Sequence, residues 1–307
     1  MQAFSGVLAT LGMQVDIYHN AKICGQWQIS EHEVGSTCFH IVTQGRCSLQ
    51  VPGHLDCILN CGDLVIFPRE LAHTMLAIDG GDGPQEHLGF VEARDRKGTG
   101  MLCAKVQFKH PAAQQILNSL PAIFIVEISD SVQWLNALLK LIMHENYHGG
   151  SSSKLILNNV SELLFIYALQ HYFSHHQQVS ASFLALYQHP RLSKSIEAVH
   201  RHPQKHWTLA ELARVANQSR TVFSNQFKQL SGWSVMQYLT WWRMQLAWSA
   251  LVEGHSVSNV AEQVGYQSES AFSRVFQKHF SISAGKVRRN PEQINFRRAT
   301  RPPVIDA

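Results

Sequence analysis

The chain contains no apolar run approaching the roughly 18 residues that a membrane-spanning helix needs. Its first residues, "MQAFSGVLATLGMQ", lack the basic flank that precedes the apolar core of a secretory signal. The first absence excludes a bundle of transmembrane helices, and the second directs the reading to a cytoplasmic protein. Charged residues are scarce, at 16%. Cysteine disappears after position 103: all six cysteines (Cys24, Cys38, Cys47, Cys57, Cys61 and Cys103) lie before that point. None stands in CxxC spacing, which removes the usual signature of a structural zinc site. In a cytosolic chain such residues are thiols, metal ligands or redox sensors rather than a disulfide framework. Acidic residues thin out toward the back. Residues 1–190 hold 10 Lys+Arg against 15 Asp+Glu, whereas residues 191–290 hold 13 against 5. A mildly acidic front and a basic back suit two tasks, and the back is the part matched to a polyanion.

What is present divides by periodicity. From about Cys24 to Phe108, short apolar or alternating runs such as "HIVTQGRCSLQV" and "DLVIFP" are punctuated by Gly45, Pro52–Gly53, Gly62 and "DGGDGP". Regular short strands with turn signals predict a β-sandwich or barrel. From about Ser129 the period changes to i, i+3, i+4, i+7, predicting two amphipathic helices over 131–147 and 154–173. The polar stretch "SHHQQVSAS" reads as a linker. From Leu192 to Arg289 the text is helical.

Within that last part the chain repeats itself. "ANQSRTVFSNQFKQL" returns as "GYQSESAFSRVFQKHF", with Ser219, Phe223 and Phe227 matched by Ser268, Phe272 and Phe276. In each copy a short helix precedes a turn, a Ser positioned as N-cap, and a second helix with a polar outer face. Thr208 and Glu211 form a capping-box pattern at the start of the first copy. The expected inward residues are Val222, Phe223 and Phe227, then Phe272, Val275 and Phe276. Arg220, Thr221, Ser224, Asn225 and Lys228 face out, as do Glu269, Ser270, Ser273, Arg274 and Lys278. This is a helix–turn–helix, whose second helix fits the DNA major groove. Between the copies lies a helix of about 19 residues, roughly 28 Å long. Two readers on such a spacer can address major-groove segments about 34 Å apart on one face of DNA.

Residues 189–289, through "LARVANQSRTVFSNQFKQLSGWS", "YLTWWRMQLA" and "VAEQVGYQSESAFSRVFQKHFSIS", resemble the DNA-binding domain of AraC/XylS-family transcription regulators. The chain departs from the family pattern at Val235, Ala284 and Val287, where two Pro and a Tyr are usual. The resemblance implies base contacts from Thr221, Ser224, Asn225, Ser270, Ser273 and Arg274. Arg220, Lys228 and Lys278 are the expected phosphate contacts, which position the protein without reading sequence.

The front resembles a cupin of the AraC-linked kind. "CGDLVIFPRELAHTM" fits the second cupin motif through Gly62, Pro68 and His73, with Glu70 in place of a Gly. The first motif, "CFHIVTQGRCSLQVPG", is depleted, with only His40 where two His and a Glu are usual. His40 and His73 are thus a reduced candidate metal pair, and no cofactor is expected. Cys24 before the barrel and Cys103 in its late strand resemble the arrangement in activators that respond to reactive chlorine or other oxidants. Lys22 and Lys105 are expected to favour their thiolates. The competing signal is a small molecule in the barrel, and the alternative function is a metal-dependent cupin enzyme fused to a DNA reader.

The expected protein is α+β. It has a cupin-like β-barrel with a helical pair for sensing and dimerisation (1–176), a linker (177–190), an all-α double helix–turn–helix domain (191–290) and a tail (291–307). Its expected partners are promoter DNA, a second copy of itself, RNA polymerase and an oxidant or small-molecule effector.

Overall fold

The computed structural model describes residues 12–30, 33–108, 110–128, 133–175 and 184–291. The expected tail from 292 on and residues 177–183 of the expected linker lie outside these. The described residues form two compact units. One is built from Met13–Gln107 and Leu120–His176; the other takes Phe108–Ser119 together with the described part of Gln177–Ala307.

The first unit is a pair of sheets. One has six strands in the order β10 (Phe124–Val126), β6 (Leu64–Phe67), β3 (Thr37–Gln44), β9 (Thr99–Phe108), β1 (Met13–Cys24) and β8 (Glu86–Leu88). The other has four: β2 (Gln28–Ile29), β7 (Thr74–Ala77), β4 (Arg46–Val51) and β5 (Leu55–Asn60). β3 shows why the first sheet is central, since seven of its eight residues are buried. Cys38 and Val42 join Cys47, Leu49, Phe67, Met101 and Cys103 in the core between the sheets. Phe39, one residue along and so on the other face, packs with its ring 6.5 Å from that of Phe165. Phe165 lies on α3 (Ser153–His175), which pairs with α2 (Gln133–His148) over that face. The first strand, β1, precedes the region expected to be extended, and the helix α1 (Ala112–Asn118) interrupts the strands between β9 and β10.

The second unit is helical. α4 (Ala185–Gln188) falls within the expected linker, where Leu184, Leu186 and Tyr187 are buried and Tyr187 Oη lies 2.6 Å from Tyr238 Oη. α5 (Leu192–Arg201) leads to the first helix–turn–helix, α6 (Leu209–Val215) and α7 (Arg220–Ser231). The spacer α8 (Val235–Val252) follows, then the second pair, α9 (Val257–Gln263) and α10 (Glu269–Phe280), and finally α11 (Ala284–Arg289). The Thr208–Glu211 capping box is formed, with both reciprocal bonds present.

The repeat is not uniform. Its first helices are offset by 48 positions, from the N-cap Thr208 to the N-cap Ser256 and from Leu212 to Val260. Its second helices are offset by 49, from Ser219 to Ser268. The turn of the second copy is therefore one residue longer. Both second helices end on a left-handed residue whose N–H closes onto the last turn. Gly232 (φ 75°) bonds Lys228 O at 2.8 Å and Ser281 (φ 58°) bonds Gln277 O at 2.9 Å. Glycine takes this conformation freely, whereas a residue with a Cβ pays for it sterically. Ser281→Gly should accordingly raise stability by about 0.5–1 kcal/mol, read as a higher urea midpoint. An unchanged or lower midpoint would show that the Ser281 conformation carries no strain.

Candidate DNA-reading surface and sensor core

Each reading helix is started by a serine. Ser219 Oγ accepts from Val222 N at 3.3 Å and Ser268 Oγ from Ala271 N at 3.2 Å, occupying a backbone donor of each first turn. The helices are seated by phenylalanines: Phe223 and Phe227 on α7, and Phe272, Phe276 and Phe280 on α10, all buried. That seating leaves Arg220, Thr221, Asn225 and Lys228 exposed on α7, with Ser224 half-buried. On α10 it leaves Glu269, Ser270, Arg274 and Lys278 exposed, with Ser273 half-buried. The Arg274 guanidinium rests on its own helix, Nε donating to Ser270 O at 3.3 Å. Glu269 and Ser273 line an open cleft with Arg288 and Arg289 of α11, so basic side chains flank the second reader on a further element.

One sequence expectation is corrected on this surface. Val222 does not face inward but is 47% exposed. At 100° per residue it lies on the flank of α7, a quarter turn from Phe223. It presents an apolar group beside Thr221, suited to a thymine methyl. Val275 is only partly buried.

In the first unit, β3 and β9 pair with His40 opposite Cys103. Around them gather imidazoles from four strands or loops. The His40 and His73 ring centroids are 5.2 Å apart, and His19 and His87 are 5.3 Å apart. His73 stacks on Phe67 and its Nδ1 lies 2.8 Å from Leu71 O. Tyr18 brings its hydroxyl to 3.5 Å from His40 Nδ1 and also bonds Cys103. Burial holds His40 neutral, its pKa lowered to about 3 with the neighbouring His73 and His19 adding to the effect. Burial, then His87, lowers His19 to about 4. The Nε2 of His19 is buried without a hydrogen-bond partner. Among the described residues no group of three or more His, Cys, Asp or Glu is arranged to hold a metal ion. His40 and His73 come together, and Cys38 Sγ lies 4.0 Å from His40 Nε2. Glu70, the residue replacing the motif's Gly, is buried and accepts from Ser36 Oγ at 2.6 Å.

The two expected sensing cysteines are separated. Cys103 and Ile23 belong to the core between the sheets, so Cys24, next to Ile23, points to the opposite face. Cys24 Sγ lies against Gly98, before β9 begins, whereas Cys103 bonds Tyr18, six residues up β1 from Cys24. Six residues of strand span roughly 20 Å, well beyond disulfide reach. The lysines do not act as expected either. The buried Lys22 donates to Ala93 O at 3.2 Å, and Lys105 is paired with Glu33 at 2.8 Å. Burial pushes the Cys103 thiol upward, with Cys47 nearby adding to it. The exposed cysteine among the described residues is Cys61, whose Sγ donates to Thr43 O at 3.1 Å. Tyr18, His19 and His87 were not singled out in the sequence, and only the count of histidines, 18, hinted at them.

A two-sheet domain with histidines and thiols buried at its apolar core, joined to a pair of capped reading helices, defines a DNA-binding transcription regulator with a sensor domain. Comparison with known proteins agrees. The family described as Cupin matches residues 2–174, and the family described as Helix-turn-helix domain matches residues 212–290. The chain belongs to the cupin family in its front half and is an AraC-type transcription regulator with a cupin sensor domain. It is similar to the RCS-specific HTH-type transcriptional activator RclR of Escherichia coli (strain K12), being 26% identical over 300 residues, 96% of this chain and 99% of that one. It is similar also to a putative AraC-like transcription regulator of Streptomyces lividans, 28% identical over 95% of this chain and 99% of that one. Among solved structures, the DNA-binding domain of AdpA in complex with a target DNA is 26% identical, covers 32% of this chain and 89% of that one, and has a TM-score of 0.31. The relatives are regulators, and this chain is a regulator rather than an enzyme.

Two outcomes follow. Since His19 and His40 stay neutral in the fold but charge near pH 6.5 when unfolded, their contribution is complete above about pH 6.5 and is lost as pH falls toward 4 and then 3. The urea midpoint should therefore drop between pH 7 and pH 5, and less so in His19→Asn; a flat midpoint would contradict the buried neutral pair. On the DNA side, Arg274→Ala should cost about 1–3 kcal/mol on the specific site and relax specificity in the half-site read by α10. Lys228→Ala should weaken binding to all sequences and flatten its salt dependence. Equal effects of the two changes on specific and random duplexes would remove the distinction.

Proposed function

We propose that the protein is a cytoplasmic, homodimeric activator that binds promoter DNA, engages RNA polymerase and answers an oxidant through Cys24 and Cys103. On α7, Thr221, Ser224 and Asn225 read bases while Arg220 and Lys228 hold phosphates. On α10, Ser270, Ser273 and Arg274 read bases while Lys278 holds phosphate, with Glu269 beside them on the DNA-binding face. The observation that supports this reading most is the pair of serine-capped helices presenting these side chains to solvent from phenylalanine-seated backbones. Dimerisation is supported by exposed apolar residues on the helical pair: Leu141, Leu155, Leu163 and Tyr167, the last stacked with Trp134. Activation and the oxidant are supported by the name of the E. coli relative, an RCS-specific activator.

The chemistry at the two thiols is local, since they occupy opposite faces of one sheet. Cys103, its thiol held protonated by burial, reacts poorly with oxidants that need a thiolate. A small uncharged electrophile such as hypochlorous acid suits it better. The thiol sulfur then takes up oxygen to give a sulfenic acid, and HCl is released. A polar oxygen inserted beside Cys47 and Tyr18 disturbs a close-packed interior, and that disturbance is the signal. A second reading, a small polar molecule in the barrel, is favoured by the unpartnered His19 Nε2 among the imidazoles.

Cys24→Ser and Cys103→Ser should each abolish hypochlorous-acid-induced transcription from the target promoter, with folding and uninduced DNA affinity unchanged. If both variants respond like the wild type, or the wild type does not respond, the oxidant reading fails and the small-molecule reading takes its place.

A further inference from the structure

Phe108–Ser119 lies in sequence between two strands of the sensor's sheet, yet it packs as part of the helical DNA-reading unit. It leaves β9 five residues after Cys103 and returns to the sheet at β10. Its anchor is His110, 4% exposed. His110 Nδ1 accepts from Ala112 N at 3.1 Å, which occupies a backbone donor at the start of α1 and leaves Nε2 as the protonated nitrogen. Nε2 then donates to the backbone oxygen of Gln245 at 3.0 Å. Burial lowers the pKa of His110 to about 4, so the neutral ring holds both bonds at once. Ala112, Ala113, Ile116 and Leu117 of α1 are buried as well.

Gln245 is itself unusual. It is 1% exposed in the middle of α8, a helix otherwise buried through apolar and aromatic side chains. Its Nε2 has two neighbours: Trp241 O at 3.1 Å and the Nε2 of His279 at 3.2 Å. His279 lies on α10, the second reading helix, and burial lowers its pKa to about 4, so its ring is neutral and accepts. A buried amide whose hydrogens are both used is a costly group to misplace, so it fixes the register of the helices that supply its partners. The first reader, α7, carries no group in this chain of bonds.

We propose that His110 is a positioning residue for the second reading helix, and that the His110–Gln245–His279 chain makes the half-site read by α10, not the one read by α7, the target of sensor control. The control part rests on the oxidant reading above; the positioning part does not.

The test uses the full-length protein and a duplex that it selects from random DNA, prepared with one half-site or the other scrambled. In reduced protein without effector, His110→Ala should bind the duplex retaining the α10 half-site about tenfold more weakly, the loss expected when one buried hydrogen bond is left unmade. Binding to the duplex retaining the α7 half-site should be unchanged. His110→Gln, which restores an N–H donor toward Gln245 O, should recover most of the loss. A merely structural role would weaken both duplexes alike, and equal loss, no loss, or a Gln variant no better than Ala would overturn the proposal. Where His110→Ala does not fold, His279→Leu cuts the same chain at its other end and is held to the same half-site selectivity. Hypochlorous acid gives the control arm. It should alter wild-type affinity for the α10 half-site alone, and His110→Ala should not respond. A wild type indifferent to oxidant refutes the oxidant reading and leaves the half-site result standing. An oxidant effect on both half-sites refutes the selective control.

Discussion

Both reading helices lean on one helix. α8 buries ten of its eighteen residues, and the two readers meet different parts of it. Tyr238 near its start lies 5.8 Å from the ring of Phe227 on α7, and Trp248 near its end lies 4.6 Å from Phe280 and 6.0 Å from Phe276 on α10. At about 27 Å for eighteen residues, α8 sets the distance between two otherwise local motifs. Aromatic side chains suit this task because each buries a large area in few rotamers. The polar outer faces of α7 and α10 are then held in place by an apolar spine buried behind them.

The sensor unit depends on the opposite economy. Within its apolar core it buries ionisable groups, with two imidazoles kept neutral by desolvation and the Cys103 thiol kept protonated by the same cause. Desolvation acts on every ionisable group in this space and disfavours whichever form is charged. A chemical signal that adds polarity here meets a resistance that the solvent-exposed Cys61 would not offer.

The repeat was legible because it is written in strong signals: serines at N-caps, phenylalanines four apart, and a spacer without Gly or Pro. The paired sheets and helical pair were legible from changes of period. What escaped has local causes. β1 was not read as a strand because its alternation breaks after Ile17, where Tyr18, His19 and Asn20 follow one another. α1 was missed because seven residues give too little periodicity. Val222 was misplaced because one position of helix turns a side chain from the core to its flank. The reach of Lys22 and Lys105 toward the cysteines failed because each has a nearer acceptor, Ala93 O and Glu33. Gln245 stood visibly as a polar residue in "WWRMQLAWSA", but its partners come from distant parts of the chain and no spacing rule connects them.

The unequal turns of the two readers bear on how a promoter must be written. Because the second turn holds one more residue than the first, the two copies are not interchangeable modules, and the chain fixes their order. A single chain therefore has a head and a tail as a reader of DNA. A recognition sequence turned end for end is a different message to it, so its sites carry an arrow. On a promoter that arrow decides which side of the bound protein looks toward the start of transcription.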